Sequence, residues 1–425
     1  MKYYSLNHQS ESVGFIQAML NGLAPDGGLY HPETFPRYSS QELLSLKNKS
    51  LMEIAISVLN KWLNDEFLPE EINQVVKKSL NFDILLRQVN SFRVLELFHG
   101  PTMAFKDIGA SVLAQLMNVV FSKKSLQATI LVATSGDTGG AVAQGFSDAK
   151  QVKVVILFPK GRVSRLQEEQ LTRVSDNVIP VEIEAGFDEC QIMVKKAFVD
   201  PDLQKYNLTS ANSINIGRLI PQIIYYVYTF SRFVNDNIEL VIPSGNLGNA
   251  TAALFACKMG IPLSLIIGCN ANDCVDIYEK TSRFMPKKSV ATLSNAMDIG
   301  NPSNFRRLLE VCNNDHSIFK TLIKTVSITD SQTVETIKKV YLESDYLLDP
   351  HTAIAWRAAE LLADKSKKTI IVSTASPVKF ASELQQATGI MIDDSQEIKK
   401  LRQKPKRKYE LKNDYHKFKQ LLKVI

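Results

Sequence analysis

The feature that most constrains this chain is an alternation that begins near residue 90. Short β-branched and aliphatic runs are separated by helical patterns. The runs are ATILVAT (128–134), VKVVILF (152–158), VIPVEIE (178–184), IELVIP (238–243), LSLIIG (263–268) and TIIVST (369–374). Most are apolar nearly throughout rather than at every second residue, which is how strands read when both sheet faces are covered. Between them lie TGGAVAQGFSDA, GRLIPQIIYYVYTFSRF, NATAALFACKMG and SPVKFASELQQA, all with helical character. Such alternation predicts parallel sheets, and right-handed crossovers place helices on both faces. The expected fold is α/β, with two doubly wound open-sheet domains; 425 residues are enough for more than one core.

Residues 1–90 read differently. Helical patterns (QELLSLKN, SLMEIAISVLNKWLN, PEEINQVVKKSL) flank a turn-rich GLAPDGGLYHP, which predicts an N-terminal accessory domain. The expected organisation is therefore 1–90 accessory, 91–390 a core of two α/β subdomains with a site between them, and 391–425 a basic C-terminal segment. From Glu397 onward 11 Lys and Arg face 3 acids, so the formal charge of +6 resides in the tail and the remainder is close to neutral. That distribution gives no warrant for a nucleic-acid partner, and KKLRQKPKRK reads as a solvated terminal segment. No 18-residue apolar run suggests a membrane span. MKYYSLNHQSESVGF has no secretory apolar region, so a cytoplasmic location is expected. Five scattered cysteines, with no second pair or histidine cluster, form no zinc pattern; no metal is expected.

Ligands of open parallel sheets bind beyond the carboxyl ends of the strands. Two glycine-rich turns sit there: Ala133-Thr134-Ser135-Gly136-Asp137-Thr138-Gly139-Gly140 and Pro243-Ser244-Gly245-Asn246-Leu247-Gly248-Asn249. Glycine lets backbone approach a ligand, and the following helix start offers free N–H groups and a positive dipole end. Each is a plausible anion cradle, although a tight βα turn where glycine serves packing alone accounts for a single loop equally well. Neither matches GxxxxGK[ST] or GxGxxG, which excludes the common nucleotide motifs. A third stretch is Glu96-Leu97-Phe98-His99-Gly100-Pro101-Thr102-Met103-Ala104-Phe105-Lys106-Asp107. Desolvation of a lysine set among apolar and small residues would favour the neutral amine that Schiff-base chemistry needs, although most lysines are surface charges and a lone one carries little weight.

Together these stretches resemble the threonine synthase family, in its longer-chain bacterial and fungal group. This group lies within the fold-type II (tryptophan synthase β-like) pyridoxal-phosphate enzymes. GLAPDGGLY, FHGPTMAFKD, ATSGDTGGA, GRVSRLQEEQ, NSINIGRLIPQ, SGNLGN, DPHTA and STASPVKF look like that family's blocks in its order, over about residues 20–385. The resemblance implies a pyridoxal 5'-phosphate (PLP) cofactor, bound as a Schiff base to Lys106 with its phosphate on Gly245, Asn246, Leu247, Gly248 and Asn249. It implies Thr374 at the pyridine nitrogen, although Ser373 and Ser376 lie close enough to compete. A neutral hydroxyl there makes the ring a milder electron sink than a carboxylate would.

The same resemblance turns Ser135, Gly136, Asp137 and Thr138 toward the substrate, with loop N–H groups on its carboxylate or phosphate. The implied reaction converts O-phospho-L-homoserine and water to L-threonine and phosphate, the last step of threonine biosynthesis. Related PLP lyases of phospho-amino acids and serine/threonine dehydratases are the alternative. A substrate phosphate needs cations or several donors. The candidates are Lys160, Arg162, Ser213, Asn215 and Arg218, while pairing with Glu168 or Glu169, or helix capping, would equally account for the arginines. His99 and His351 read as structural hydrogen-bonders, and Asp107 either orients the lysine loop or serves as an acid at a helix start. A monomer or homodimer is expected.

Overall fold

The computed structural model describes residues 1–425 in full. Its strands are β1 (Tyr3–Ser5), β2 (Tyr30–Pro32), β3 (Leu85–Val89), β4 (Phe92–Glu96), β5 (Ala128–Ala133), β6 (Val152–Pro159), β7 (Val178–Glu184), β8 (Leu208–Ser210), β9 (Ile238–Pro243), β10 (Leu263–Cys269), β11 (Ile323–Ser327), β12 (Lys368–Ser373) and β13 (Tyr409–Lys412). One sheet has the order β11-β10-β9-β12-β4-β3 and the other β13-β7-β6-β5-β8. All pairings in them are parallel except the β3–β4 hairpin. The α/β fold with two open sheets is thus as expected. All six apolar runs form strands, and β9, in the middle of its sheet, is buried at every residue.

The β3–β4 hairpin joins residues on both sides of position 90 in one sheet, so the N-terminal region is continuous with the core there. Its remaining helices act as a buttress. The helix Leu51–Leu63 opens with a reciprocal Ser50–Glu53 cap and buries Ile54, Val58, Leu59 and Trp62. Trp62 stacks on Phe255, ring centroids 5.8 Å apart, and Phe255 belongs to the helix Gly248–Lys258 that follows the second glycine turn. That contact braces the helix whose start faces the site.

The tail differs from its reading as a solvated segment. β13 extends the smaller sheet beside β7, and the helix Tyr415–Val424 buries Phe418 and Leu422 against Val181, Cys190 and Met193. Its cations meet acids of the core: Lys406–Glu168 at 2.7 Å, Lys408–Glu182 at 2.8 Å and Lys419–Asp200 at 2.8 Å. Their charge is spent on docking the tail. Phe418→Ala is expected to destabilise this unit by roughly 3–5 kcal/mol through the cavity it leaves. Urea denaturation of wild type and variant measures that loss.

Candidate active site

The FHGPTMAFKD stretch folds into a short clasp. Asp107 accepts from both the backbone N–H (2.8 Å) and the hydroxyl of Thr102, and a side chain at Gly100 would strike that carboxylate at 2.6 Å. Burial pushes the Asp107 carboxyl up to about 6, even though its hydrogen bonds with Thr102 act the other way. Asp107 therefore closes the loop in front of Lys106, the first residue of the helix Lys106–Lys124. The clasp is stitched to the segment after β12: Phe105 N–H donates to the Thr374 carbonyl (2.9 Å) and Ser376 N–H to that of Met103 (3.1 Å).

Lys106 thereby enters a cleft enclosing about 1170 Å³ of atom-free space, counting its mouth. Loops leaving β5, β9 and β12 line it. Ser135, Asp137, Thr138, Ser213, Arg218, Gly245, Asn246, Leu247, Gly248, Asn249 and Thr374 all reach the cleft. Of the three competing hydroxyls, Thr374 alone lines it; Ser373 shares a hydrogen bond with Thr352 (2.9 Å) and Ser376 caps Val378.

The second glycine turn has the form of an anion cradle. Leu247 has φ +60°, and a Cβ at Gly245 would lie 2.6 Å from Met297 Cα, so only glycine fits. The Asn249 carbonyl oxygen is occupied by the hydroxyls of Tyr225 (3.1 Å) and Tyr226, which leaves its buried amide N–H₂ without a partner. A buried orphan donor at a helix start beside free backbone N–H groups suits a bound phosphate. Asn246 is pinned between Ser213 Oγ (2.7 Å) and Ser303 N–H (2.6 Å). Asn304 reaches the same Ser213 oxygen, and fully buried Arg307 donates to the carbonyls of Tyr30, Ser213 and Ile214.

The first turn departs from the expected pattern. The N–H groups of Gly136 and Gly139 both donate to Thr134 Oγ1 at 2.9 Å, so they are taken by the loop itself. Gly136 has φ +135° and packs on Gln167, outside the cleft lining. Asp137 lies inward: Oδ2 is 3.3 Å from Lys106 Nζ, and Oδ1 accepts from Gln167 Nε2 (2.9 Å) and sits 3.0 Å from Lys379 Nζ. Burial works to raise the Asp137 pKa, but the charges of Lys379 and Lys106 outweigh it and hold the carboxyl far below the usual range. Burial lowers the Lys106 pKa, with Asp137 opposing.

Three candidates for a substrate phosphate fall elsewhere. Lys160 is half-exposed and paired with Glu184 at 3.2 Å, and Arg162 is exposed; neither lines the cleft. They follow β6 and lie exposed at the surface. Asn215 is buried, caps Gly217 N–H and holds the Met19 and Ser210 carbonyls, a purely internal set. The lining cations are Lys106, Arg218 and Lys195. Arg218 donates to the Ala211 carbonyl at 2.6 Å, its Nε has no partner, and burial lowers its pKa to about 10. Glu168 and Glu169 pair instead with Lys406 and Arg402 of the tail. His351 is held by Asp349 (2.7 Å) and accepts from Ala296 N–H (3.3 Å), while His99 pairs with Glu96 outside the cleft. Lys379, Gln167, Lys195 and Asn304 escaped the sequence reading. Lys379 and Gln167 lay within recognised blocks, but nothing in the letters marks a lysine as buried.

A largely enclosed lysine amine and a glycine-lined helix start sharing one cleft, between two open sheets, define a PLP enzyme. The family description "Pyridoxal-phosphate dependent enzyme" matches residues 86–376. The descriptions "Threonine synthase N terminus" and "Threonine synthase, C-terminal" match residues 2–80 and 352–422. The threonine synthase of Haemophilus influenzae is 39% identical over 98% of both chains. The crystal structure of threonine synthase from Escherichia coli superposes with TM-score 0.93 at 34% identity, covering 100% of this chain and 99% of that one. A PLP-bound threonine synthase from Brucella melitensis superposes with TM-score 0.93 at 32% identity, covering 99% and 98%. The chain belongs to the threonine synthase family. No helix is long and apolar enough to cross a membrane.

Gly245→Ala is expected to drive the turn away from Met297 at a cost of about 1–3 kcal/mol. Affinity for PLP then falls roughly 10- to 100-fold, which an absorbance titration of the cofactor-free protein measures.

Proposed function

We propose that this chain is a threonine synthase, converting O-phospho-L-homoserine and water to L-threonine and phosphate. The observation that carries the reading is the cleft shared by the Lys106 amine and the Gly245–Asn249 cradle, in a chain that aligns end to end with threonine synthases.

In this reading Gly248 and Asn249 N–H groups, the spare Asn249 amide and the helix dipole hold the cofactor phosphate. Asn246, braced by Ser213 and Ser303, fixes the turn's shape. Thr374, which lines the cleft, would offer its hydroxyl to the ring nitrogen. When bound, PLP supplies an aldehyde that takes up the substrate amine and a conjugated ring that draws electron density from its α-carbon. Lys106 moves the protons: burial favours its neutral amine, so it accepts the α-proton and returns protons along the carbon chain.

Ser135 and Thr138 offer hydroxyls to the substrate carboxylate at the mouth of the first turn. Arg218 and Lys195 line the cleft and serve in this reading as the cations for the leaving phosphate, Arg218 with a donor to spare. Lys160, Arg162 and Asn215 have no part in this arrangement.

Lys106→Ala is expected to abolish both the visible absorbance of the purified protein and threonine formation. Incubating wild type with O-phospho-L-homoserine and measuring threonine and 2-oxobutyrate separates the proposed reaction from a lyase. Threonine without keto acid is the expected product. Keto acid as the main product, or a fully active Lys106→Ala variant, contradicts the proposal.

A further inference from the structure

We propose that Lys379 is a positioning residue for Lys106: its ammonium keeps Asp137 ionised and in place, so that Asp137 neither turns away nor takes the proton when Lys106 releases it. The inference deepens the reading above, because it requires that Lys106 change its charge during the reaction.

The geometry carries the argument. The Lys379 side chain is wholly removed from solvent. Its nitrogen donates to the Thr102 carbonyl (2.6 Å) and to Gln170 Oε1 (2.9 Å). An ammonium has three donors and no acceptor. With two fixed on those acceptors, the charge is held 3.0 Å from Asp137 Oδ1. Lys106 stands at the other oxygen, at 3.3 Å. One buried carboxylate thus has two cations, one on each oxygen, and Gln167 as a third neighbour.

The two lysines are not equivalent. Lys379 lies outside the cleft lining, locked to a backbone carbonyl of the Lys106 clasp and to a side-chain amide, whereas Lys106 opens into the cleft. If Lys106 were the sole counter-ion, each loss of its proton would leave Asp137 as an uncompensated buried anion. Such groups regain neutrality by protonation. Asp137 would then compete for the proton that Lys106 must deliver to substrate. A second cation locked outside the cleft removes that competition, and it also disfavours the charged form of Lys106 by like-charge repulsion.

The other ionisable groups around the cluster leave this role to Lys379. Arg218, on the helix Ile216–Leu219, donates to the Ala211 carbonyl. His351, on the helix Pro350–Leu362, is tied to Asp349. Asp107, on the helix of Lys106, is clasped by Thr102.

The test is a titration of Lys106 in full-length protein freed of bound cofactor with hydroxylamine. Trace acetylation with acetic anhydride across a pH series, read by mass spectrometry of the Lys106 peptide, gives its protonation midpoint without any turnover. Lys379→Gln, which keeps an N–H donor for Thr102, is expected to raise that midpoint by about one unit. Asp137→Asn is expected to lower it, and the double variant to fall between the two. General structural damage does not produce shifts of opposite sign. A Lys379→Gln midpoint that is unchanged or lower overturns the inference, as does a double variant displaced as far as Lys379→Gln. Should Lys379→Gln fail to fold, the charge-balanced double variant is expected to fold, and a double variant equally unstable overturns the account. Because the readout is independent of product formation, failure here and failure of the threonine assay are distinguishable.

Discussion

The site depends on a carboxylate that has been taken out of water. Asp137 is buried between two lysine nitrogens and an amide. Removing one partner from such an arrangement exposes the full desolvation cost of the rest, commonly several kcal/mol. The three ionic partners come from distant parts of the chain: the start of the helix after the lysine loop, the turn after β5 and the segment after β12. Meeting at one carboxylate fixes the relative placement of the two sheets at the cleft. The Lys379 contact with the Thr102 carbonyl then carries the constraint back into the clasp that holds Lys106.

The rest of the molecule supports that cluster. The N-terminal helices bury Trp62 against Phe255, on the helix that begins at the second glycine turn. Arg307 gathers carbonyls from Tyr30 and from Ser213 and Ile214, so the N-terminal region and the wall of the cleft share one buried cation. The tail closes the far edge of the smaller sheet, where an unpaired β7 would otherwise present a bare strand. An apolar cluster of 82 buried residues runs through N-terminal and core segments alike, so these regions pack as one body around the cleft.

Much of this was legible in the sequence. The six apolar runs became strands because strands covered on both faces leave a continuous signal. The short or edge strands left none: β3 and β4 read as mixed polar stretches, β8 has three residues, and YELK of β13 is charged because it pairs on one side only. Lys106 and the SGNLGN turn were visible because each lies in a compact block beside its strand. Lys160 and Arg162 lie outside the cleft lining, since proximity to a strand end says nothing of which way the exit loop runs. Lys379 was passed over for the opposite reason. Its burial arises only when Thr102, Asp137 and Gln170, each more than 200 residues away, converge on it.

The central claim is that the Lys106 amine forms the covalent attachment point for PLP. Borohydride reduction of the purified protein, proteolysis and mass mapping of the peptides test it most directly. The account predicts a phosphopyridoxyl mass increment on the peptide containing Lys106 and no other. An increment on a different lysine, Lys379 included, or no increment at all in protein that retains bound PLP, would contradict it.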